Sequence, residues 1–145
     1  MSESQRFPVA VHALVYLAHR RARAAGEAVS SAELAASMPT NPVVVRRVTA
    51  MLGKAGLIES RAGAGGGAWL CIDPAEITLD RVLKAVDGCA HLGVPPSGAK
   101  GCPVGEKIPR AVAAAIKAAD EAAAERLSKI TVADLLAEVD APAAA

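Results

Sequence analysis

No apolar run in the 145-residue chain is long enough to cross a membrane as a helix. The most apolar early stretch, Val9 to Ala18, is interrupted by His12 and falls far short of the roughly 20 residues a span needs. Nothing at the start has the order of a signal peptide, so the chain reads as cytoplasmic, with no membrane partner. Cysteine is scarce: Cys71, Cys89 and Cys102 are odd in number, which argues against a disulfide framework and leaves core packing, redox sensing or metal ligation. Net charge is only +1, which by itself predicts no polyanionic partner. The glycine-rich run Arg61-Ala-Gly-Ala-Gly-Gly-Gly67 lacks the lysine and Ser/Thr of a nucleotide-binding loop. An enzyme built on Cys89 or Cys102 with His91 as base would need a third, orienting group, which a Gly/Pro-rich loop does not supply.

The chain fits one domain, or a compact domain with an oligomerisation arm, and its 52% apolar content is ample for a core. The small net charge hides an asymmetry. Up to Ile72, eight Lys and Arg face four Asp and Glu, a balance of +4; the remainder carries eight against eleven, a balance of −3. Positive charge is therefore concentrated in the first half, as counterion-releasing contacts with phosphate require.

Phe7, Val11, Leu14, Val15 and Ala18 recur at three-to-four spacing, predicting an amphipathic helix from Arg6 to about Arg23 with that stripe buried. His12 and His19 share another face and read as solvent- or partner-facing, since no third metal ligand follows. Ser30-Ser-Ala-Glu33 predicts a capping box that opens a short helix running to Met38. Pro39 stops that helix, Asn41 caps the next, and Pro42 occupies its first position, where a missing N–H costs nothing. Two helices joined by a tight turn form a helix-turn-helix unit.

In the second of these helices Val45, Val48, Leu52 and Ala55 share an inner face, with Thr49 on its flank, leaving Val43, Arg46, Arg47 and Ala50 outside. The outer face is the candidate DNA reader: arginine forms bidentate contacts with guanine, and Ala50 lets the helix approach a thymine methyl. Thr40 and the helix start at Asn41 offer a place for a phosphate. Two surface arginines alone are ordinary; the capped helix before them and the hairpin after them favour DNA. A winged-helix adaptor for protein partners would instead present a neutral or acidic face. Leu57 to Arg61 and Ala68 to Ile72 predict two strands around the glycine tip. Arg61 is placed for a minor groove, and Gly65, Gly66 and Gly67 for close approach of backbone amides to phosphate. Cys71 on the second strand reads as packed.

Asp73 to Ile77 reads as a linker, and Thr78 caps a short helix from Leu79 to Val86. Gly88 to Gly105 is a Gly/Pro-rich loop, and a long Ala-rich helix runs from Ile108 to about Ser128 with Pro109 in its first turn. Ile108, Val112, Ala115, Ala119, Ala123 and Leu127 form a narrow apolar stripe that pairs with a second copy or folds back on the first helix. A dimer would match the twofold symmetry of a palindromic operator in double-stranded DNA. A last helix spans Val132 to Val139. The expected division is a DNA-binding domain over 1–73, a linker helix, sensor loop and dimerisation helix over 74–140, and a disordered tail over 141–145.

The chain resembles the Rrf2 family of bacterial transcriptional regulators. The resemblance is carried by the first helix, Phe7 to Ala18; by Lys54-Ala-Gly-Leu57, Ser60-Arg61 and Gly65-Gly-Gly67; by Ile77-Thr-Leu79 with Ala85-Val-Asp-Gly88; and by Cys102-Pro-Val-Gly105 before the long helix. It implies a mainly α, homodimeric winged helix-turn-helix repressor, with Arg46 and Arg47 on the recognition helix, Arg61 and the glycines in the β-hairpin wing, and dimerisation through the long C-terminal helix. The chain departs from the family pattern at Ala62, Ala64 and Ala68 of the wing. Cluster-binding members are similar to one another in three closely spaced cysteines; Cys89 and Cys102 match the outer two, but Pro95, Pro96 and Ser97 stand between them and no cysteine does. An iron–sulfur cluster would then need His91 or another chain as ligand. The alternatives are a thiol switch, with Cys102 at the start of the long helix as sensor and Cys89 in the same loop, a small-molecule effector, or inert cysteines.

Overall fold

The structure, a computed structural model, describes residues 5–87 and 92–143. Helix α1 (Arg6–His19) buries Ala10, Ala13, Leu14, Leu17 and Ala18. This corrects the expected stripe: Phe7, Val11 and Val15 are only half-buried and line the edge of the core. Small side chains at 10 and 13 let neighbouring helices come close, while the larger residues of the predicted stripe sit one step around the helix. The helix also ends at His19, earlier than predicted, and Arg21 follows with φ 54°.

Helix α2 (Ser31–Ser37) starts as predicted, with the Ser30 hydroxyl accepting from the Glu33 N–H at 3.1 Å. The reciprocal half of the box is replaced. The Glu33 carboxylate accepts from the Tyr16 hydroxyl at 2.9 Å and pairs with Arg20, so it ties α2 to α1. In helix α3 (Pro42–Lys54) the Asn41 side chain accepts from the Val43 N–H at 2.8 Å, and Val45, Val48, Thr49 and Leu52 are buried. Ala55 ends the helix exposed, and Thr49, expected on the flank, is buried with its hydroxyl donating to the Arg46 carbonyl.

Strands β1 (Ile58–Arg61) and β2 (Gly67–Leu70) pair antiparallel, Ile58 with Leu70 through Arg61 with Gly67. The hairpin is fastened to the body by backbone bonds: Val29 and Ala68 exchange N–H and C=O at 3.0 and 2.9 Å, and the Leu70 N–H donates to the Ala22 carbonyl at 2.8 Å. Two of the glycines have structural duties. A Cβ on Gly67, at φ 151°, would collide with the Val29 carbonyl oxygen, and one on Gly66 would collide with that of Arg61.

Helix α4 (Leu79–Val86) lies where expected, but the Thr78 side chain makes no capping bond. Its first N–H, on Leu79, donates instead to the Ile130 carbonyl at 2.9 Å, and Val132 N–H donates back to Ile77, joining the starts of α4 and the last helix, Val132–Asp140. Ile77, Val82, Val86 and Val132 enter the same core as α1 and α3, so the core runs through the boundary expected near residue 73. The long helix α5 (Pro103–Leu127) begins five residues before the predicted start, and Pro109 lies inside it rather than in its first turn. The start is set by Cys102, whose Sγ accepts from the Gly105 N–H at 3.4 Å, and by Glu106, which accepts from Gly101 N–H at 2.8 Å. The helix over Val132–Asp140 is α6, opened by a capping box between Thr131 and Asp134.

Since only a residue without Cβ fits between the wing and Val29, Gly67→Ala should cost about 1–3 kcal/mol in urea denaturation. Gly26→Ala, with open space around it, should stay within about 0.5 kcal/mol. A Gly67→Ala protein as stable as the wild type would contradict this account of how the wing is held.

Candidate nucleic-acid interface

The inner face of α3 packs against α1 and α4, and its outer face points away from the core. Val43 is 51% exposed, and Arg46, Arg47 and Ala50 are exposed beside it. Thr40 is half-buried in the turn, its N–H bonded to the Ala35 carbonyl at 3.2 Å, and Asn41 is committed to capping α3. Arg61 is exposed at the end of β1, at the base of the wing tip. Among the described residues none of Arg46, Arg47 and Arg61 is paired with a carboxylate.

Between α2, α3 and the wing runs a cleft of about 470 Å³. Arg46, Thr49 and Ala50 line one wall, Ser30 and Ser31 the floor side, and Ser60, Arg61, Gly66 and Gly67 the other wall. Among the described residues no carboxylate lines it. Ser31 and Ser60 carry no sequence signal that places them in one cleft, because nothing in their spacing says that the hairpin folds back towards α2. Gly65, at φ 72°, has open space where a side chain would stand, whereas Gly66 and Gly67 close the hairpin.

The cysteines divide differently from expectation. Cys71 is exposed, not packed. It lies one residue beyond β2, where the alternation that buries Ala68 and Leu70 turns it outwards. Its thiol is pushed above the ordinary value, first by lost hydration and then by the Glu59 carboxylate, which repels a thiolate and accepts the S–H. Cys102 is exposed at the cap of α5, while Cys89 and His91 lie outside the described residues. Among the described residues no three His, Cys, Asp or Glu side chains gather as a metal site. Cys89 and Cys102, with no cysteine between them, fall short of the ligand set of an iron–sulfur cluster.

A helix-turn-helix with a solvent-facing arginine pair, followed by a hairpin anchored beside it, defines a winged-helix transcriptional regulator. The family profile described as "Rrf2: Iron-dependent Transcriptional regulator" matches residues 3–138, and the chain belongs to this family. It is 35% identical over 134 residues to the HTH-type transcriptional regulator YwnA of Bacillus subtilis (strain 168), covering 92% of this chain and 96% of that one. A crystal structure of a transcriptional regulator from Lactobacillus plantarum superposes with a TM-score of 0.75 at 29% identity, over 93% of this chain and 89% of that one. The structure of CymR, the global cysteine regulator of B. subtilis, shares the fold with a TM-score of 0.63 at 21% identity, over 95% and 96%. These relatives are regulators rather than enzymes. Among the described residues no helix is long and apolar enough to cross a membrane.

With its pKa raised, Cys71 holds less thiolate at neutral pH, and alkylation by iodoacetamide near neutrality should be slow there. Glu59→Gln removes the repelling charge and should speed labelling of Cys71 severalfold, read by peptide mass spectrometry. An unchanged rate would remove Glu59 as a cause.

Proposed function

We propose that this regulator is a cytoplasmic, homodimeric repressor that binds a palindromic operator in double-stranded DNA. The observation that carries the proposal is the exposed, unpaired arginine set of α3 and the wing, Arg46, Arg47 and Arg61, in the chain's positive half. In this reading α3 enters a major groove with Val43, Arg46, Arg47 and Ala50 towards the duplex, while Thr40, Asn41 and the wing from Arg61 to Gly65–Gly67 approach the backbone and the neighbouring minor groove.

Support for a second copy comes from α5. The helix buries no residue, and its main neighbour in the chain is α4, not α1. Ile108 is 49% and Val112 40% exposed, and the stripe predicted from them faces away from the body except at half-buried Leu127. An apolar ridge of this length left in water favours pairing with its copy. Cys102, capping the same helix, is the proposed sensor. Its thiolate would attack a peroxide oxygen, forming a sulfenic acid as the hydroxide leaves to become water, and so disturb the helix start that orients the two wings. Cys89 is proposed with it as a second redox-sensing thiol.

Arg46→Ala with Arg47→Ala should leave the dimer intact in sedimentation and abolish specific binding in fluorescence anisotropy. Ile108→Glu with Val112→Glu should yield monomers and weaken specific binding about tenfold or more. Unchanged operator affinity in the first pair, or a persistent dimer in the second, would overturn the corresponding half of the proposal. Cys102→Ser should bind DNA in reductant and ignore peroxide; a variant that still responds would place the switch elsewhere.

A further inference from the structure

Arg46 and Arg47 are neighbours in sequence, yet consecutive residues of a helix point about 100° apart. With Val45, Val48, Thr49 and Leu52 marking the buried side, the crest of α3 falls near Val43 and Ala50, and the two arginines lie on opposite sides of it. Arg46 leans to the Thr49 side and lines the cleft that Arg61 closes from the wing. Arg47 leans the other way and is not among the walls of the cleft.

The grooves of a duplex are separated by ridges of sugar and phosphate. If α3 lies in a major groove and the wing reaches the adjacent minor groove, the cleft between them must straddle one ridge. Cations on its walls then face phosphate oxygens, not base edges. We propose that Arg46 and Arg61 grip the DNA backbone from the two walls of this cleft, with the Ser31 and Ser60 hydroxyls between them, and that Arg47 alone of the arginine pair reads bases. The inference rests on the DNA-binding reading and divides labour within it. The absence of any carboxylate among the described lining residues suits a polyanion. The cleft is walled by three separate elements, α2, α3 and the wing, as a groove for a passing strand requires.

The two roles differ in three measurable ways. A phosphate contact strengthens binding to every sequence and steepens the salt dependence, whereas a base contact strengthens binding to one sequence. Lysine keeps the charge that a phosphate contact needs but loses the fork that a bidentate guanine contact uses, so it rescues more at the first kind of site than at the second.

The test uses the full chain with Arg46→Ala, Arg46→Lys, Arg47→Ala and Arg47→Lys, all at exposed positions. Two probes are compared by anisotropy between roughly 50 and 300 mM salt, where counterion release is measurable. One is a duplex that the wild type enriches from a randomised pool, the other a random-sequence duplex of the same length. Arg46→Ala should weaken both by the same factor and flatten the slope of log affinity against log salt by about 0.9 for each phosphate that is no longer neutralised. Arg46→Lys should restore most of both. Arg47→Ala and Arg47→Lys should each cut the preference for the enriched duplex by about fivefold to a hundredfold. If Arg46→Ala erases the preference while Arg47→Ala weakens both probes alike, or if Arg46→Ala changes neither, the division is wrong while DNA binding stands. If the wild type enriches no duplex and binds neither probe, the DNA-binding reading falls, and this inference with it.

Discussion

Everything that presents the interface depends on the burial of one face of α3 against α1. Val45, Val48 and Leu52 are fully enclosed there and Thr49 nearly so. Each large apolar side chain contributes about 1.5–3 kcal/mol. Alanines 10 and 13 on α1 make the close approach possible, and Glu33, held by Tyr16 and Arg20, fixes α2 to the same helix. With the inner face so constrained, the outer face has no freedom in where it points. The direction of the α3 arginines is set by residues buried behind them.

The wing is positioned by a second, backbone-level constraint. Ala22 and Val29, from the segment between α1 and α2, hold β2 by hydrogen bonds, and Gly67 is the residue that lets them come close. The cleft between α3 and the wing therefore has two walls tied to one framework, and its width is a property of the fold. The long helix contributes nothing to this framework: it buries no side chain and leaves its apolar ridge in solvent.

The helix-turn-helix is legible in the sequence because caps and prolines act locally. Ser30, Asn41 and Pro42 mark helix starts whatever the rest of the chain does, and α2 and α3 begin where these signals put them. What escapes a sequence reading depends on contacts between distant segments. Glu33 leaves its capping role for Tyr16 and Arg20, and Thr78 gives up its own to the Ile130 carbonyl. The periodicity of large apolar residues on α1 points one step away from the true core face, which is built on the alanines beside them. Cys102 has the surroundings of a loop residue, although its sulfur, a weak acceptor, starts α5. Cys71 has the sequence context of a packed strand residue, but β2 stops one residue before it. The arginine pair is legible as an exposed face, whereas which of the two lies towards the wing follows from where the hairpin folds.

The account is tested most directly by hydroxyl-radical footprinting of the protein on a duplex it has enriched from a randomised pool. A winged-helix homodimer predicts two blocks of backbone protection related by twofold symmetry, their centres about 10 base pairs or a multiple apart. A single asymmetric block, or uniform protection along the duplex whatever its sequence, would contradict it.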